Sequence, residues 1–306
     1  MQTRLEQRDP RFTQLVAPNA ELEQVVTGFD FTEGPIWHPG AQALLFSDIM
    51  GNSLYRWSAT AGLKKLRRNS YMANGNAFDH QGRVITCEHA TSRVTRSDLT
   101  TCDPITNEGL EVLATHYEGK QLNSPNDVVV KSNGIIYFTD PPAGRSPVYG
   151  VPREQELAFA GVYRLDPATK TVTLLVDDFT LPNGLCFALD EQRLFVNDTV
   201  RQHIRVFDLQ DDGTLANGRI WAETTGDEDG VPDGMKVDQA GNIYCCGPGG
   251  VHIFDPDANC LGVVHIPEQT ANFVFGDDDL CSLYITASTS VYRLRVKTPG
   301  HATYRL

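Results

Sequence analysis

The chain returns to one pattern six times. A short polar start leads into a hydrophobic strand, and the strand ends in a turn rich in Asp, Asn or Gly. The copies are FTEGPIWHP (31–39), MANGNAFDHQG (72–82), NSPNDVVVKSNG (123–134), TLPNGLCFALDEQ (180–192), VPDGMKVDQAG (231–241) and TANFVFGDDD (270–279). A second strand follows each: ALLFSDI, RVITCEH, IIYFTDP, RLFVNDT, NIYCCGP and SLYITAS. A third ends in a polar exit: SLYRWS, RVTRSDL, GVYRLDP, HIRVFDL, GVHIFDP and SVYRLRV. A fourth can be traced in several copies, as in KTVTLLVDDF and CLGVVHIP. These runs alternate or are continuously apolar, are rich in Val, Ile, Tyr and Phe, and are bounded by Gly, Asp, Asn and Pro. No long stretch carries a helical period. A β-sandwich with many hairpins would not return one pattern six times. A four-stranded unit recurring every roughly 40–60 residues marks a propeller blade, and six in 306 residues gives about 51 each. The expected fold is all-β: a six-bladed β-propeller of four-stranded blades.

A propeller must close its ring. The sixth copy ends at YRLRVK with little chain left for a fourth strand, while ELEQVVTGF (21–29) precedes the first copy and reads as a strand. The N-terminal strand is therefore expected to complete the last blade. Residues 1–20 then read as a loosely ordered lead-in. With no Pro/Ser-rich linker and no low-complexity tract, residues 1–306 read as a single propeller domain.

The formal charge of −13 argues against nucleic acid or an anionic membrane as partner and is compatible with a cation site. No run reaches the length of a membrane-spanning helix, and MQTRLEQRDPRFTQLV lacks the apolar centre of a signal peptide. Seven cysteines without C-x-x-C spacing read as small buried hydrophobes in a reducing compartment, so a cytoplasmic location is expected. There is no phosphate-binding glycine loop and no G-x-S-x-G elbow.

Aligning the copies on their turns brings Glu33, Asn74, Asn126, Asn183, Asp233 and approximately Ala271 to one equivalent position. The first strand of a blade lines the central channel, so these side chains are expected to ring its axis at one mouth. Glu33, Asn126, Asn183 and Asp233 offer two carboxylates and two amide carbonyls, hard oxygen ligands that suit Ca²⁺, Mg²⁺ or Mn²⁺. Two converging carboxylates repel unless one takes a proton or a cation binds. Taken singly, each is also an ordinary turn residue; their shared position points to a site. The loops after the second strands should lie on the same face. They carry Asp48, Glu88, His89, Asp140 and Asp198. Asn74, Asn126, Glu88 and His89 are candidate substrate contacts.

The motifs FTEGPIW, LNSPNDVVV, LPNGLCF and VPDGMKVD resemble those of the SMP-30/gluconolactonase/luciferin-regenerating-enzyme family, and GNAFDHQGRVITCEHATSRVTRSDL resembles bacterial gluconolactonases in particular. The resemblance runs from about Glu21 to the end. It implies a six-bladed propeller with one catalytic divalent metal in the channel, Ca²⁺ first, with Mg²⁺, Mn²⁺, Zn²⁺ and Fe²⁺ as alternatives. It implies Glu33, Asn126, Asn183 and Asp233 as metal ligands and Asp233 as catalytic acid/base. Where some members place a sugar-gripping basic residue, this chain has Ser124.

The activity so implied is lactone hydrolysis. A lactone carbonyl docked on the metal would be polarised, water would attack the carbonyl carbon, and Asp233 would take the proton. Direct attack by the Asp233 carboxylate, giving an acyl intermediate, stays open. A rim of acids and amides suits a neutral sugar lactone, met by a monomer or small homo-oligomer. A propeller acting on other esters or phosphotriesters would share the metal ring but have an apolar rim. A non-catalytic binding propeller would have no reason to collect Glu, Asn, Asn and Asp at one mouth.

Overall fold

Six antiparallel sheets close into one ring, each contributing its first strand to the channel wall. The structure is a computed structural model and describes residues 3–302. Blade I comprises Thr32–His38, Ala43–Asp48, Ser53–Ser58 and Gly62–Arg67; blade II comprises Ala73–Phe78, Val84–Glu88, Arg93–Ser97 and Glu111–Ala114. Blade III comprises Val128–Val130, Ile136–Asp140, Ala160–Asp166 and Thr171–Phe179; blade IV comprises Pro182–Phe187, Arg193–Asp198, His203–Leu209 and Leu215–Glu223. Blade V begins with Met235–Val237, Ile243–Gly247, Gly250–Phe254 and Cys260–His265; blade VI with Thr270–Gly276, Ser282–Ala287 and Ser290–Arg295. The N-terminal strand Leu22–Thr27 completes blade VI, with Leu22 opposite Leu294 and Thr27 opposite Ser290. The ring is thus fastened by the two ends of the sequence, as the repeat count requires.

Each sheet packs both faces against neighbours, so second strands such as Ala43–Asp48 and Ser282–Ala287 are buried at every residue. That explains why they read as continuous apolar runs and not as alternating ones. The apolar residues fall into six clusters, one at each blade interface. Phe138 and Tyr163 stack at 5.2 Å inside the II–III cluster, and Trp37 stacks on Tyr284 at 5.1 Å across the VI–I junction. The I–II interface holds the smallest set, centred on Ile36, Leu45, Phe78 and Val84.

The first twenty residues depart from the sequence expectation over their described part. Leu5–Gln7 adds a fifth strand to blade V, with Leu5 opposite Val264 and Gln7 opposite Gly262. A one-turn helix, Phe12–Leu15, then seats Phe12 (2 % exposed), Leu15 and Val16 in the V–VI cluster. The reason lies in the strand they cover. The outer strand Cys260–His265 is almost wholly apolar and buried, whereas the outer strand Gly62–Arg67 carries exposed lysines. An apolar edge requires a cover.

At the channel mouth the blades approach backbone to backbone. The residue after each ring position is Gly34, Gly75, Asp127, Gly184, Gly234 and Asn272. Gly75 N–H donates to the Asn126 carbonyl and Gly234 N–H to the Ala271 carbonyl, both at 2.8 Å. A Cβ on Gly34 would stand 2.0 Å from the Asn74 carbonyl oxygen, and one on Gly184 2.1 Å from that of Asp233. Second-strand side chains complete this girdle. Ser47 donates to the Asn74 carbonyl and Thr139 to the Asn183 carbonyl, each at 2.8 Å, and Asn197 donates to the Asp233 carbonyl at 2.5 Å.

Gly184 lies outside the left-handed region, so only the clash opposes a side chain there. Gly184→Ala is expected to destabilise the protein by about 1–3 kcal/mol through overpacking against rigid backbone, read from the urea midpoint. Phe12→Ala is expected to cost about 3–5 kcal/mol, as for a core phenylalanine; a change below about 1 kcal/mol would show that the lead-in is not part of the folded core. A chain starting at residue 31 should fail to fold by circular dichroism and gel filtration.

Candidate functional site

The ring side chains are aimed by local irregularity. The pairing of first and second strands shifts between Glu33 and Ile36, Ala73 and Asn76, Pro182 and Leu185, and Thr270 and Asn272. Such bulges re-aim a side chain at the end of a strand. The starting loops are held by the acids that end the second strands. Asp48 accepts from Phe31 N–H at 3.0 Å, Asp140 from Asn123 and Ser124 N–H at 2.8 Å each, and Asp198 from Thr180 N–H at 2.8 Å. These three acids are struts for the site.

Glu88 stands in the corresponding place in blade II. It was expected as a substrate contact, and the structure assigns it elsewhere. It is fully buried, with one oxygen accepting from Arg67 (3.3 Å) and Thr95 (3.0 Å) and the other from Arg93 (2.5 Å) and Thr91 (2.8 Å). With both oxygens engaged, it has no free lone pair to offer a ligand. Ser124 is likewise committed: it is buried, donates to the Pro141 carbonyl and accepts from Gly144 N–H.

Glu33, Asn74, Asn126 and Asn183 are buried at the mouth, and Asp233 keeps partial exposure. The Glu33 carboxylate accepts from Gly34 N–H and from Asn272 Nδ2, the latter at 3.1 Å. Burial, then the charge of Asp127, raise Glu33 to about 7. Asp233 lies against Glu33 and within hydrogen-bonding reach of Asn183; burial and then the Glu33 charge push it well above the usual carboxylate range. The Asn183 amide donates to Thr199 Oγ1 at 3.1 Å, and the Asn74 amide meets His89 Nε2 at 3.1 Å. The amide oxygens of Asn74 and Asn183 are buried without a partner. Among the described residues no three His, Cys, Asp or Glu side chains form a metal-binding group; Glu33, Asp233 and Asn183 are brought together, while the Asn74 amide meets His89 and the Asn126 side chain has no described hydrogen bond.

Three polar residues behind the ring escaped the sequence reading. Asp127 is buried with one carboxylate oxygen unpartnered; burial raises it and Lys236 opposes that rise. Lys236 Nζ donates to Asn272 Oδ1 at 3.1 Å, and the same amide holds Glu33. The repeat did carry a signal. Asp127 and Asn272 are the two polar residues where the other blades have glycine. Lys236 is the one charge among the third residues after the ring, with Ile36, Ala77, Val129, Cys186 and Val274. Those six line the far half of the channel, which opens as a cavity of about 620 Å³ walled mainly by apolar side chains.

A loop over residues 141–159 is fastened beside the ring. Arg145 donates to the carbonyls of Asn123 and Leu122 at 2.8 and 2.7 Å, and Arg153 donates to the His89 carbonyl at 2.6 Å. Tyr149 contacts Phe31 edge-on with centroids 5.3 Å apart, and the charge of Asp233 adds to burial in raising its phenol. An aromatic pair therefore stands beside the carboxylates.

The profile of the SMP-30/gluconolactonase/LRE-like region matches residues 31–289, and so all six copies of the repeat. A gluconolactonase of Zymomonas mobilis is 31 % identical over 95 % of this chain and 85 % of its own. The pentonolactonase XacC of Haloferax volcanii is 27 % identical over 84 % and 81 %. Among solved structures, a gluconolactonase of Xanthomonas campestris superposes with a TM-score of 0.86 at 34 % identity, covering 95 % of this chain and 94 % of that one. A calcium-binding regucalcin of Agrobacterium tumefaciens shares the fold, with a TM-score of 0.76 at 20 % identity over 94 % and 98 %. The family profile over residues 31–289 and the relatives together show that this chain belongs to the SMP-30/gluconolactonase/LRE-like family.

Proposed function

We propose that the protein is a divalent-metal-dependent lactonase that opens a sugar lactone of the gluconolactone type to its hydroxy acid. The lactonase relatives support the reaction. One observation on this chain supports the metal. Three buried or half-buried carboxylates, Glu33, Asp127 and Asp233, face a single ammonium, Lys236. Fully ionised, they leave two uncompensated negative charges, and two unpartnered amide oxygens stand beside them. A dication closes that balance, whereas without one the acids must hold protons. All the donors are oxygens, which favours Ca²⁺ over softer-ligand metals. Glu33, Asn126, Asn183 and Asp233 would hold it.

A bound dication supplies Lewis-acid polarisation of the lactone carbonyl. Asp233 is the ring carboxylate with partial exposure, and a bound dication would hold it ionised and able to accept a proton. It accepts the proton as water adds to the carbonyl carbon, and returns it to the ring oxygen as the C–O bond breaks. Glu33 is held by Gly34 and Asn272 and acts as a ligand alone. Asn126 faces the substrate side in this reading, whereas His89, expected as a substrate contact, is buried with both ring nitrogens hydrogen-bonded and stands behind Asn74. Tyr149 and Phe31 supply a wall for the C–H face of the sugar. The seven free thiols, five of them buried, support a reducing cytoplasmic setting.

Exhaustive chelation is expected to abolish lactone hydrolysis and Ca²⁺ to restore it; full turnover from protein free of metal by elemental analysis would end the proposal. At saturating Ca²⁺, Asp233→Asn should lose turnover by ~10²–10⁴-fold, the usual worth of a general base. Glu33→Gln should instead weaken Ca²⁺ binding first and regain much of its turnover at high Ca²⁺.

Cation binding is also expected to depend on pH. The carboxyl of Glu33 sits at about 7 in the metal-free protein, so below that pH it carries a proton that the cation must displace. Ca²⁺ affinity should therefore rise as pH increases from 5 to 8, and Asp233, also pushed upward, adds to the rise. Calorimetry in buffers of different ionisation enthalpy should register proton release at pH 6; affinity flat across this window would show that Glu33 is not a ligand.

A further inference from the structure

We infer that a hydrogen-bond relay from Tyr149 through His89 locks Asn74 with its amide oxygen turned to the ring, making Asn74 an additional oxygen ligand for the cation and His89 its positioning residue. The inference rests on the metal site proposed above. The relay can be assigned atom by atom. His89 Nδ1 lies 2.8 Å from the Tyr149 carbonyl, which can only accept, so Nδ1 carries the hydrogen. His89 is buried at 1 % exposure, and among the described residues neither ring nitrogen meets a carboxylate that would hold a second proton, so Nε2 is the acceptor. Asn74 Nδ2, at 3.1 Å from Nε2, must then be the donor. The amide cannot flip without opposing two lone pairs. Its oxygen is left on the far side from His89, buried and unpartnered.

Blade IV repeats the arrangement. Asn183 holds the same ring position, its Nδ2 donates to Thr199 Oγ1 at 3.1 Å, and its oxygen is also buried and unpartnered. Thr199 follows Asp198, and His89 follows Glu88, so the two orienting residues occupy equivalent places after the second strand. Thr199 is fixed in turn by donating to the Pro232 carbonyl at 2.8 Å, as His89 is fixed by donating to the Tyr149 carbonyl. A buried carbonyl oxygen with no partner is costly, and an orienting group that keeps it so serves a ligand to come. The corresponding residues in the other blades are Ile49, Pro141, Pro248 and Ser288, and no described hydrogen bond joins any of them to its own ring residue.

His89 is also rigidly mounted. Its N–H donates to the Met72 carbonyl at 3.1 Å, Arg153 grips its carbonyl, and Gly144 lies flush against its ring, where an added Cβ would come within 2.5 Å. The 141–159 loop therefore sets the orientation of a ring oxygen through the imidazole.

The test is Ca²⁺ titration of the full-length, chelator-stripped chain by calorimetry, with metal-free melting curves as the control for folding. Asn74→Ala and His89→Phe are expected to weaken Ca²⁺ binding by ~10–100-fold, the usual effect of losing a ligand's support. His89→Gln places a carbonyl oxygen near Nε2 and should recover most of the affinity. Wild-type affinity in Asn74→Ala, with a raised KM for lactone, would make Asn74 a substrate contact and overturn the inference. Weak binding in Asn74→Ala with wild-type binding in His89→Phe would overturn the relay. Should His89→Phe not fold, Asn74→Asp keeps an oxygen and should bind Ca²⁺ more tightly than Asn74→Ala; equal affinities overturn the inference. Wild-type protein that opens lactones yet takes up no Ca²⁺, Mg²⁺ or Mn²⁺ would refute the metal site itself, before any variant is compared.

Discussion

The close approach of neighbouring inner strands governs this molecule. Gly34, Gly75, Gly184 and Gly234 each let the next blade's backbone reach van der Waals or hydrogen-bonding distance. Nothing larger fits. The ring diameter is thereby set by backbone, which does not relax, and the side chains one residue earlier converge at a fixed radius. Burial of the acids follows from that radius. Rotation to solvent cannot relieve Glu33, since Gly34 N–H and Asn272 hold its carboxylate.

The polar cost of such convergence is met in layers. Asp48, Asp140 and Asp198 hold the starting loops, and Ser47, Thr139 and Asn197 hold the ring carbonyls of the following blade. Blade II breaks the rule, and the break is informative. Glu88 replaces the capping aspartate and pairs with Arg67 and Arg93. His89, the next residue, is then pinned by the neighbouring loop. Below the ring, Lys236 gives the buried acids a fixed countercharge, the one ammonium facing them among the described residues. Fully ionised, Glu33, Asp127 and Asp233 would carry two negative charges more than Lys236 balances, so without a cation they must share protons.

The repeat made the fold legible before any coordinates. Blade number, strand order, the closing strand Leu22–Thr27 and the clustering of Glu33, Asn183 and Asp233 follow from one periodicity. What escaped has physical reasons. Lys236 sits at a position that is apolar in five blades, and only the channel geometry reveals that its ammonium reaches Asn272. Glu88 looked like a rim residue because sequence does not show which arginines arrive from neighbouring strands. The lead-in looked loose because a three-residue strand and a one-turn helix have too few residues to express a period. The clue lay in CLGVVHIP, an outer strand too apolar to face water uncovered.

The same geometry separates what the two ends of the channel can do. At the ring, the proposed oxygen ligands lie at or just before the inner strands, where backbone contacts hold the chain, so in this reading the cost of gathering charge is met during folding and not when a ligand binds. At the far mouth the wall is mainly apolar, with Gln42, Glu191, Gln239, Asp277 and Asp278 also lining it, and the Lys236 ammonium reaches Asn272 behind the ring. Lys236 thus divides one channel into a charged half and a mainly apolar half. A substrate that must be polarised and attacked by water has reason to enter only from the charged half, beneath the loop that Arg145 and Arg153 hold down. The equivalent starts of the six inner strands lie toward one face, five of them with oxygen-bearing side chains, while the third residues along the same strands line the other half of the channel.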